Sequence, residues 1–93
     1  EIRKQVMLRG GDLPHLTNFS RSRFAPGQAA IPHSHADMVE VFFVESGAGI
    51  IRINGMEKPL TGGVCVAVEG GEVHELINSG AGELVLVYFG LKV

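Results

Sequence analysis

The fold is decided by residues 27–47, GQAAIPHSHADMVEVFFVESG, where two glycines enclose a pair of histidines and a run of β-branched and aromatic residues. His33 and His35 are two residues apart, and alternate residues of a strand point to the same face. Pro32 favours an extended backbone for the residue before it, so we expect the two imidazoles to lie side by side. Glu40 follows a short connection, where the chain can return as a neighbouring strand and bring a carboxylate beside them.

Outside this stretch the chain alternates between turn signals and short apolar runs. It has 13 glycines, several of them in pairs, and the runs between them are rich in Val and Ile. Short strands with regular turn signals are typical of an all-β sandwich or barrel. Asn54-Gly55 is the strongest hairpin signal, because both residues tolerate the positive φ of a type I′ turn. The pattern predicts nine strands, near 4–9, 16–25, 29–35, 38–46, 49–53, 56–60, 64–68, 73–78 and 83–90.

Composition limits the classes of protein to which the chain can belong. The 93 residues are 45% hydrophobic and 19% charged, which indicates one globular domain over 1–93. The net charge of −2 lacks the basic excess of a nucleic-acid-binding protein. The longest apolar run, 84–89, is far shorter than the ~20 residues of a membrane span, and no signal peptide is visible. A single cysteine excludes an internal disulfide, so we expect a cytoplasmic protein. From the charge and the short apolar runs we expect no nucleic-acid or membrane partner.

A third histidine completes a set of residues with metal-binding chemistry. His74 opens a predicted strand after the Gly70-Gly71 turn. Three neutral imidazoles and a carboxylate suit one divalent Fe, Mn, Ni, Cu, Co or Zn ion, whereas calcium prefers oxygen donors and structural zinc sites use thiolates. Four such ligands on an octahedral ion would leave two adjacent positions for water, dioxygen or a bidentate ligand. The candidate metal ligands are His33, His35, Glu40 and His74.

The spacing around these four residues resembles the two motifs of the cupin superfamily. The first motif is matched at every position, by Gly27, His33, His35, Glu40 and Gly47. The second is matched by Gly63, Gly71, His74 and Asn78. Glu69 stands where that motif has a proline, and we expect it to be a solvated turn residue.

The resemblance covers residues 27–78 and carries expectations about fold and site. It implies an all-β, antiparallel cupin barrel, also called a jelly roll or double-stranded β-helix. In cupins the two histidines and the glutamate of the first motif bind a metal together with the histidine of the second. That implies His33, His35, Glu40 and His74 as ligands here. The short stretch between the motifs is similar to that of small single-domain microbial cupins, which are often dimers.

Two predicted strands are apolar on both faces. A half-exposed antiparallel strand should alternate apolar and polar residues, but residues 38–44 and 84–89 do not. We therefore expect a homodimer in which the second subunit covers the outer faces, including Val85, Val87 and Phe89. The alternative is a small sandwich whose two sheets cover each other.

The resemblance leaves the reaction open, since cupins include dioxygenases, isomerases, storage proteins and effector-binding domains. The faces expected to line the barrel add no obvious acid, base or cationic anchor: they carry Phe42, Val44, Leu76 and Asn78. We therefore expect the ion to carry the chemistry of a small-molecule enzyme, an oxidoreductase of dioxygenase type. The alternative is a non-catalytic metal-binding or small-ligand sensor module. A sugar isomerase or epimerase is less favoured, because it would need a general base.

Four further residues are expected to have structural positions. His15 lies near Pro14 in a predicted loop, and Cys65 is expected to be a small core residue. Arg21 and Arg23 share one face of a strand, where we expect an exposed face or a salt bridge to a second subunit; the alternative is that they bind a carboxylate or phosphate.

Overall fold

The computed structural model describes residues 1–93 as nine strands and no helix. Each of the nine predicted strands is present, with bounds that differ by no more than a few residues. The strands are β1 (Arg3–Arg9), β2 (Leu16–Phe24), β3 (Ala29–His33), β4 (Met38–Ser46), β5 (Ala48–Ile53), β6 (Met56–Thr61), β7 (Cys65–Val68), β8 (His74–Ile77) and β9 (Leu84–Lys92). The all-β prediction is confirmed, and no helix is long and apolar enough to cross a membrane.

The strands form two antiparallel sheets. One sheet has the order β1-β2-β9-β4-β7, and the other has the order β3-β8-β5-β6. Consecutive strands therefore often lie in different sheets, as in a jelly roll. Strand β3, which carries His33, and strand β4, which carries Glu40, therefore belong to opposite sheets. Side chains that point inward from these two strands meet between the sheets.

The core lies where the inner faces of the two sheets pack together. Strands β4 and β9 contribute Val44 and Leu86 from one side, and β5 and β6 contribute Ile51 and Leu60 from the other. All four side chains are almost completely buried. On β4 the neighbouring Phe43 points outward, which is the alternation that a strand imposes on its side chains.

The turns adopt the backbone conformations that their glycines predict. Asn54 and Gly55 have φ angles of 50° and 81°, as a type I′ hairpin requires, and Ile53 pairs with Met56 across the turn. The four motif glycines also have positive φ: Gly27, Gly47, Gly63 and Gly71. At Gly47 there is a second requirement, because a Cβ atom there would collide with the backbone of Glu83 and Leu84.

Cys65 corrects one expectation from the sequence. The residue is exposed and does not belong to the core. Strand β7 forms an edge of the five-stranded sheet, and on it Val66 and Val68 are the more buried residues while Cys65 and Ala67 point outward. Both faces of this strand are apolar, so periodicity could not indicate which face was buried.

The loop position expected for His15 is confirmed, whereas Arg21 and Arg23 form their salt bridges within the chain. His15 lies in the loop before β2, with a φ of 66°. Arg21 forms an ion pair with Glu45 at 2.6 Å, and Arg23 forms one with Glu83 at 3.1 Å. Both arginines are therefore neutralised within the chain.

Two glycines provide a matched test of the packing at the end of β4. Gly47 and Gly63 both have a φ of 91°, but only Gly47 has backbone atoms where a Cβ would lie. We expect Gly63→Ala to cost about 1–2 kcal/mol through its backbone conformation alone. Gly47→Ala should cost ~1–3 kcal/mol more because of the collision. Urea unfolding of the two variants measures the difference, and equal stabilities would contradict the steric argument.

Candidate metal centre

Three of the four candidate ligands come from three different strands. His33 is the last residue of β3 and His74 is the first residue of β8, and the two residues pair directly across these antiparallel strands. Glu40 projects from the inner face of β4 in the opposite sheet. His35 lies two residues beyond the end of β3, in the connection to β4, whereas the predicted strand included it.

The side chains of the four residues converge on one carboxylate oxygen. Glu40 Oε1 lies 3.0 Å from His74 Nε2, 3.9 Å from His33 Nε2 and 3.8 Å from His35 Nε2. The imidazole rings of His33 and His35 are neighbours, with centroids 5.2 Å apart. The potential ligand atoms of His33, Glu40 and His74 all lie within 4.8 Å of one another, and His35 stands outside this tightest group.

The hydrogen bonds of two histidines determine which nitrogen faces the centre. His33 Nδ1 lies 2.9 Å from the carbonyl oxygen of Ile31, and His74 Nδ1 lies 3.3 Å from that of Glu72. A carbonyl only accepts hydrogen bonds, so we assign the proton of each neutral ring to Nδ1. Both Nε2 atoms then direct a lone pair toward Glu40. Such second contacts orient the histidine ligands of metal sites.

Burial makes this convergence of lone pairs unfavourable in the absence of a cation. Glu40 is 7% exposed and His74 is 2% exposed. Glu40 Oε1 and His74 Nε2 are both buried without a hydrogen-bond partner. An unsatisfied buried polar atom costs about 1–3 kcal/mol, and a cation between the two would satisfy both. The donor set of imidazole nitrogens and one carboxylate fits a divalent transition metal.

Protons compete for the same position. Burial opposes ionisation of Glu40, but the three histidines, His74 foremost, outweigh it and hold the Glu40 pKa below its ordinary 4.5. In turn the Glu40 carboxylate raises the pKa of His74 above its ordinary 6.5, against the effect of burial. Only the protonated His74 ring has an Nε2 hydrogen to donate toward Glu40. Metal and proton are therefore alternative partners of this pair.

A cavity of about 490 Å³ opens beside His33, His35 and Glu40. Much of its wall is apolar and comes from both sheets. Phe42 and Leu76, which were expected to line the barrel, both contribute. The polar part of the wall comes from Lys4, Thr17, Asn18, Ser22 and Tyr88. The sequence motifs do not indicate these residues, because β1, β2 and β9 lie largely outside the two motifs.

Val44 and Asn78 do not line this cavity, although they belong to the same inner faces. Asn78 is buried, and its Nδ2 donates hydrogen bonds to the carbonyl oxygens of Phe24 at 2.9 Å and Gly82 at 2.8 Å. Its Oδ1 accepts a hydrogen bond from the Gly80 backbone at 2.9 Å. The motif asparagine therefore holds the loops at the end of β8 and has no contact with the candidate ligands.

The two motifs are joined by backbone hydrogen bonds at both ends. The Gly27 N–H donates to the carbonyl oxygen of Asn78 at 3.0 Å, and the Gly71 N–H donates to that of His35 at 2.8 Å. Beside Gly71, a Cβ on Gly70 would lie 2.9 Å from the carbonyl oxygen of Ala36. The Gly70-Gly71 turn thus packs closely against the connection that carries His35. As expected, Glu69 is an exposed residue of this turn, and its N–H donates to the Glu72 carboxylate at 2.7 Å.

Comparison with known families agrees with this architecture. Residues 20–90 match the sequence profile of the cupin domain family. The chain belongs to this family. This cupin is 29% identical over 66 residues to an oxalate-binding protein of Thermotoga maritima, an alignment that covers 71% of this chain. The chain spans about half of that relative's length, since the match covers 54% of it.

Solved structures show the same fold at low sequence identity. A protein of Thermotoga maritima described as a predicted oxalate decarboxylase superposes with a TM-score of 0.95 at 22% identity, over 99% of this cupin and 81% of that chain. The cupin domain of Schizosaccharomyces pombe Cnp3 superposes with a TM-score of 0.90 at 12% identity, over 99% of this cupin and 65% of that chain. A cupin 2 conserved barrel domain protein of Salinispora arenicola superposes with a TM-score of 0.85 at 18% identity, over 99% of this cupin and 76% of that chain.

The close packing at Gly70 predicts an effect on the candidate metal centre. Gly70→Ala should push the 35–36 connection away from the turn and displace His35. We expect the affinity for added Zn²⁺ to fall by about 10–100-fold, as for the loss of other groups that orient ligands. Gly82→Ala is the matched control, because neither glycine has a positive φ and a Cβ on Gly82 would meet nothing within 4 Å. Competition with a chromogenic chelator measures both affinities, and equal affinities would contradict this account.

Proposed function

We propose that this cupin binds one divalent transition-metal ion through His33, His35, Glu40 and His74, and that the ion holds a small organic anion by two oxygens. Oxalate is the simplest anion of this class. The observation that carries the proposal is the buried pair of unpartnered atoms, Glu40 Oε1 and His74 Nε2, beside a cavity large enough for a ligand.

The metal part of the proposal rests on charge and donor type. Three imidazole Nε2 atoms lie within 3.9 Å of one carboxylate oxygen, and the two most buried donors have no other partner. Nitrogen and oxygen donors of this kind are shared by Fe, Mn, Co, Ni, Cu and Zn sites. A bound ion would supply a Lewis-acidic centre for oxygen donors, and iron, manganese or nickel would add redox chemistry.

The ligand part of the proposal rests on the cavity and on one relative. His33, His35 and Glu40 all contribute to the cavity wall, so a molecule in the cavity would reach the candidate ligands. The relative from Thermotoga maritima is an oxalate-binding protein, with which this chain shares 29% of residues over the aligned part. A carboxylate that chelates a bound ion is therefore the ligand class to test first.

Catalysis of dioxygenase type is a second candidate, and the composition of the cavity wall favours it. Apart from the candidate ligands, the only ionisable side chains in the wall are Lys4 and Tyr88. Chemistry in this cavity would therefore centre on the ion. Uptake of dioxygen with iron, manganese or nickel but not with redox-silent zinc would favour an oxidoreductase, and saturable ligand binding without turnover would favour a binding module. The cytoplasmic location expected from the sequence stays a prediction.

We also propose a homodimer through the outer face of the five-stranded sheet. This face presents a shallow apolar groove of about 450 Å³ with Phe43, Val87 and Phe89 in its wall. Phe43 is 44% exposed and lies in the same groove as Val87 and Phe89, so the exposed apolar surface is contiguous, and large contiguous patches mark interfaces. Val85, expected at the interface from the sequence, is already buried within the chain at 6% exposure. Val87 and Phe89 are the more accessible members of that set.

Metal content tests the proposed function. Untagged protein should contain one divalent transition metal per chain after reconstitution, and His33→Ala/His74→Ala should lose it. His15→Ala is the control, because His15 lies in a loop outside the site. Isothermal titration should show oxalate binding at least tenfold more tightly to the loaded protein than to the metal-free protein.

Acid should release the ion, since only neutral imidazole binds metal and the ordinary histidine pKa is ~6.5. The raised pKa of His74 in the metal-free protein means that this competition begins above pH 6.5. A protein that stays empty with every metal, or a double variant that keeps full occupancy, would refute the proposal.

Sedimentation equilibrium tests the dimer. The wild-type chain should be dimeric at tens of micromolar, and Phe43→Lys should shift it to monomer by placing a charge in the apolar groove. Met56→Lys is the control, because Met56 is 70% exposed on the other sheet. A monodisperse wild-type monomer would show that the outer face needs no partner.

A further inference from the structure

We propose that the natural ligand of the cavity is an organic acid larger than oxalate, with a second anionic group bound by Lys4 and Tyr88. This inference rests on the proposed function, because it places the chelating end of the acid at the candidate metal centre. It adds the substrate class: an apolar carbon skeleton with a chelating group at one end and a carboxylate at the other.

The size of the cavity argues for a larger ligand. A volume of about 490 Å³ corresponds to many water molecules at ~30 Å³ each. Oxalate is a two-carbon dianion and would leave most of this space unfilled. Sites for drug-sized ligands have volumes of ~300–1,000 Å³. The space between the candidate metal ligands and the rest of the wall therefore has room for a carbon skeleton.

The wall beside the candidate metal centre is suited to an apolar skeleton. The Phe42 ring lies 5.8 Å from the His74 ring and stacks on the Tyr88 ring at 5.5 Å. Leu76 and Leu86 line the same cavity from the two sheets. A flat or branched apolar group in contact with these side chains would bury its surface without losing hydrogen bonds to water.

Lys4 supplies an uncompensated positive charge on the same cavity. On β1 and β2, the neighbouring Arg3, Arg21 and Arg23 all pair with glutamates, at 2.6–3.1 Å. Lys4 is an exposed residue that forms no ion pair with any acidic side chain of the chain, and its ammonium group lies over the Tyr88 ring, 5.7 Å from the centroid. Lys4 pairs with Ser22 across the strands, so the two residues belong to the inner, cavity-facing side.

Tyr88 supplies a hydrogen-bond donor beside this charge. Its hydroxyl oxygen accepts a hydrogen bond from Ser22 Oγ at 3.4 Å, and its own hydrogen has no acceptor within the chain. An ammonium group and a free O–H at one place in a cavity form a subsite for an anion.

The position of the subsite sets the length of the ligand. In the five-stranded sheet β1 is three strands away from β4, which carries Glu40. The Lys4 ammonium lies 5.7 Å from the Tyr88 ring, and the Phe42 ring stands between Tyr88 and His74, 5.5 Å from the former and 5.8 Å from the latter, so two aromatic rings separate the subsite from the candidate metal centre. A ligand with both anionic groups on the same carbon could not reach both places.

Three related acids test this assignment on the Mn²⁺-loaded protein. Oxalate, phenylglyoxylate and 4-carboxyphenylglyoxylate all offer two adjacent oxygens for chelation, but only the third adds a carboxylate at the far end of a ring. By isothermal titration, 4-carboxyphenylglyoxylate should bind about tenfold more tightly than phenylglyoxylate, the scale of one charge-assisted hydrogen bond. Lys4→Met should abolish this advantage and change the affinities for oxalate and phenylglyoxylate far less. Tyr88→Phe should reduce it in part.

Lys58→Met is the matched control, because Lys58 is an exposed lysine on β6 of the other sheet, and it should leave all three affinities unchanged. If the extra carboxylate adds no affinity, or if its advantage survives Lys4→Met, the subsite is wrong while metal and oxalate binding stand. If the protein takes up no Mn²⁺ and none of the other metals, the proposed function itself fails. The two failures are therefore distinguishable.

Discussion

The contact between Glu40 of one sheet and His74 of the other organises this molecule. Two polar groups that point toward each other between packed sheets are costly to bury. They lie together because their positions on β4 and β8 direct both side chains inward. His74 is fixed by its pairing with His33 across β3 and β8, and Glu40 by the alternation of β4. The rest of the fold serves to hold these three strands in place.

The space between the sheets is divided into an apolar part and a polar part. Val44, Ile51, Leu60 and Leu84 fill one part and are fully buried, so it supplies packing energy. Around Glu40 and His74 the side chains instead leave a cavity and two unpartnered polar atoms. The free energy gained by close packing in the first part offsets the cost of the cavity and the two unpartnered atoms in the second. Functional sites commonly depend on their scaffold in this way.

The turns between strands do more than reverse the chain. The motif glycines have positive φ, and two of them donate the backbone hydrogen bonds that tie the first motif to the second. Ligands that are far apart in sequence therefore rest on turns that contact each other directly. The position of His35 depends on this arrangement, because β3 ends at His33 and the Gly70-Gly71 turn packs against the connection beyond it.

The sequence by itself determined the nine strands, the Asn54-Gly55 hairpin and the set of polar residues that meet, because local turn chemistry and motif spacing specify these features. It could not decide which face of β1 or β7 points inward, because neither strand alternates clearly between apolar and polar residues. Both are edge strands, so the inner face of β1 depends on its register with β2, and that of β7 on its pairing with β4, which is distant in the chain. Only the tertiary structure therefore placed Cys65 outside the core and Lys4 on the wall of the cavity, across from the residues that the motifs had identified.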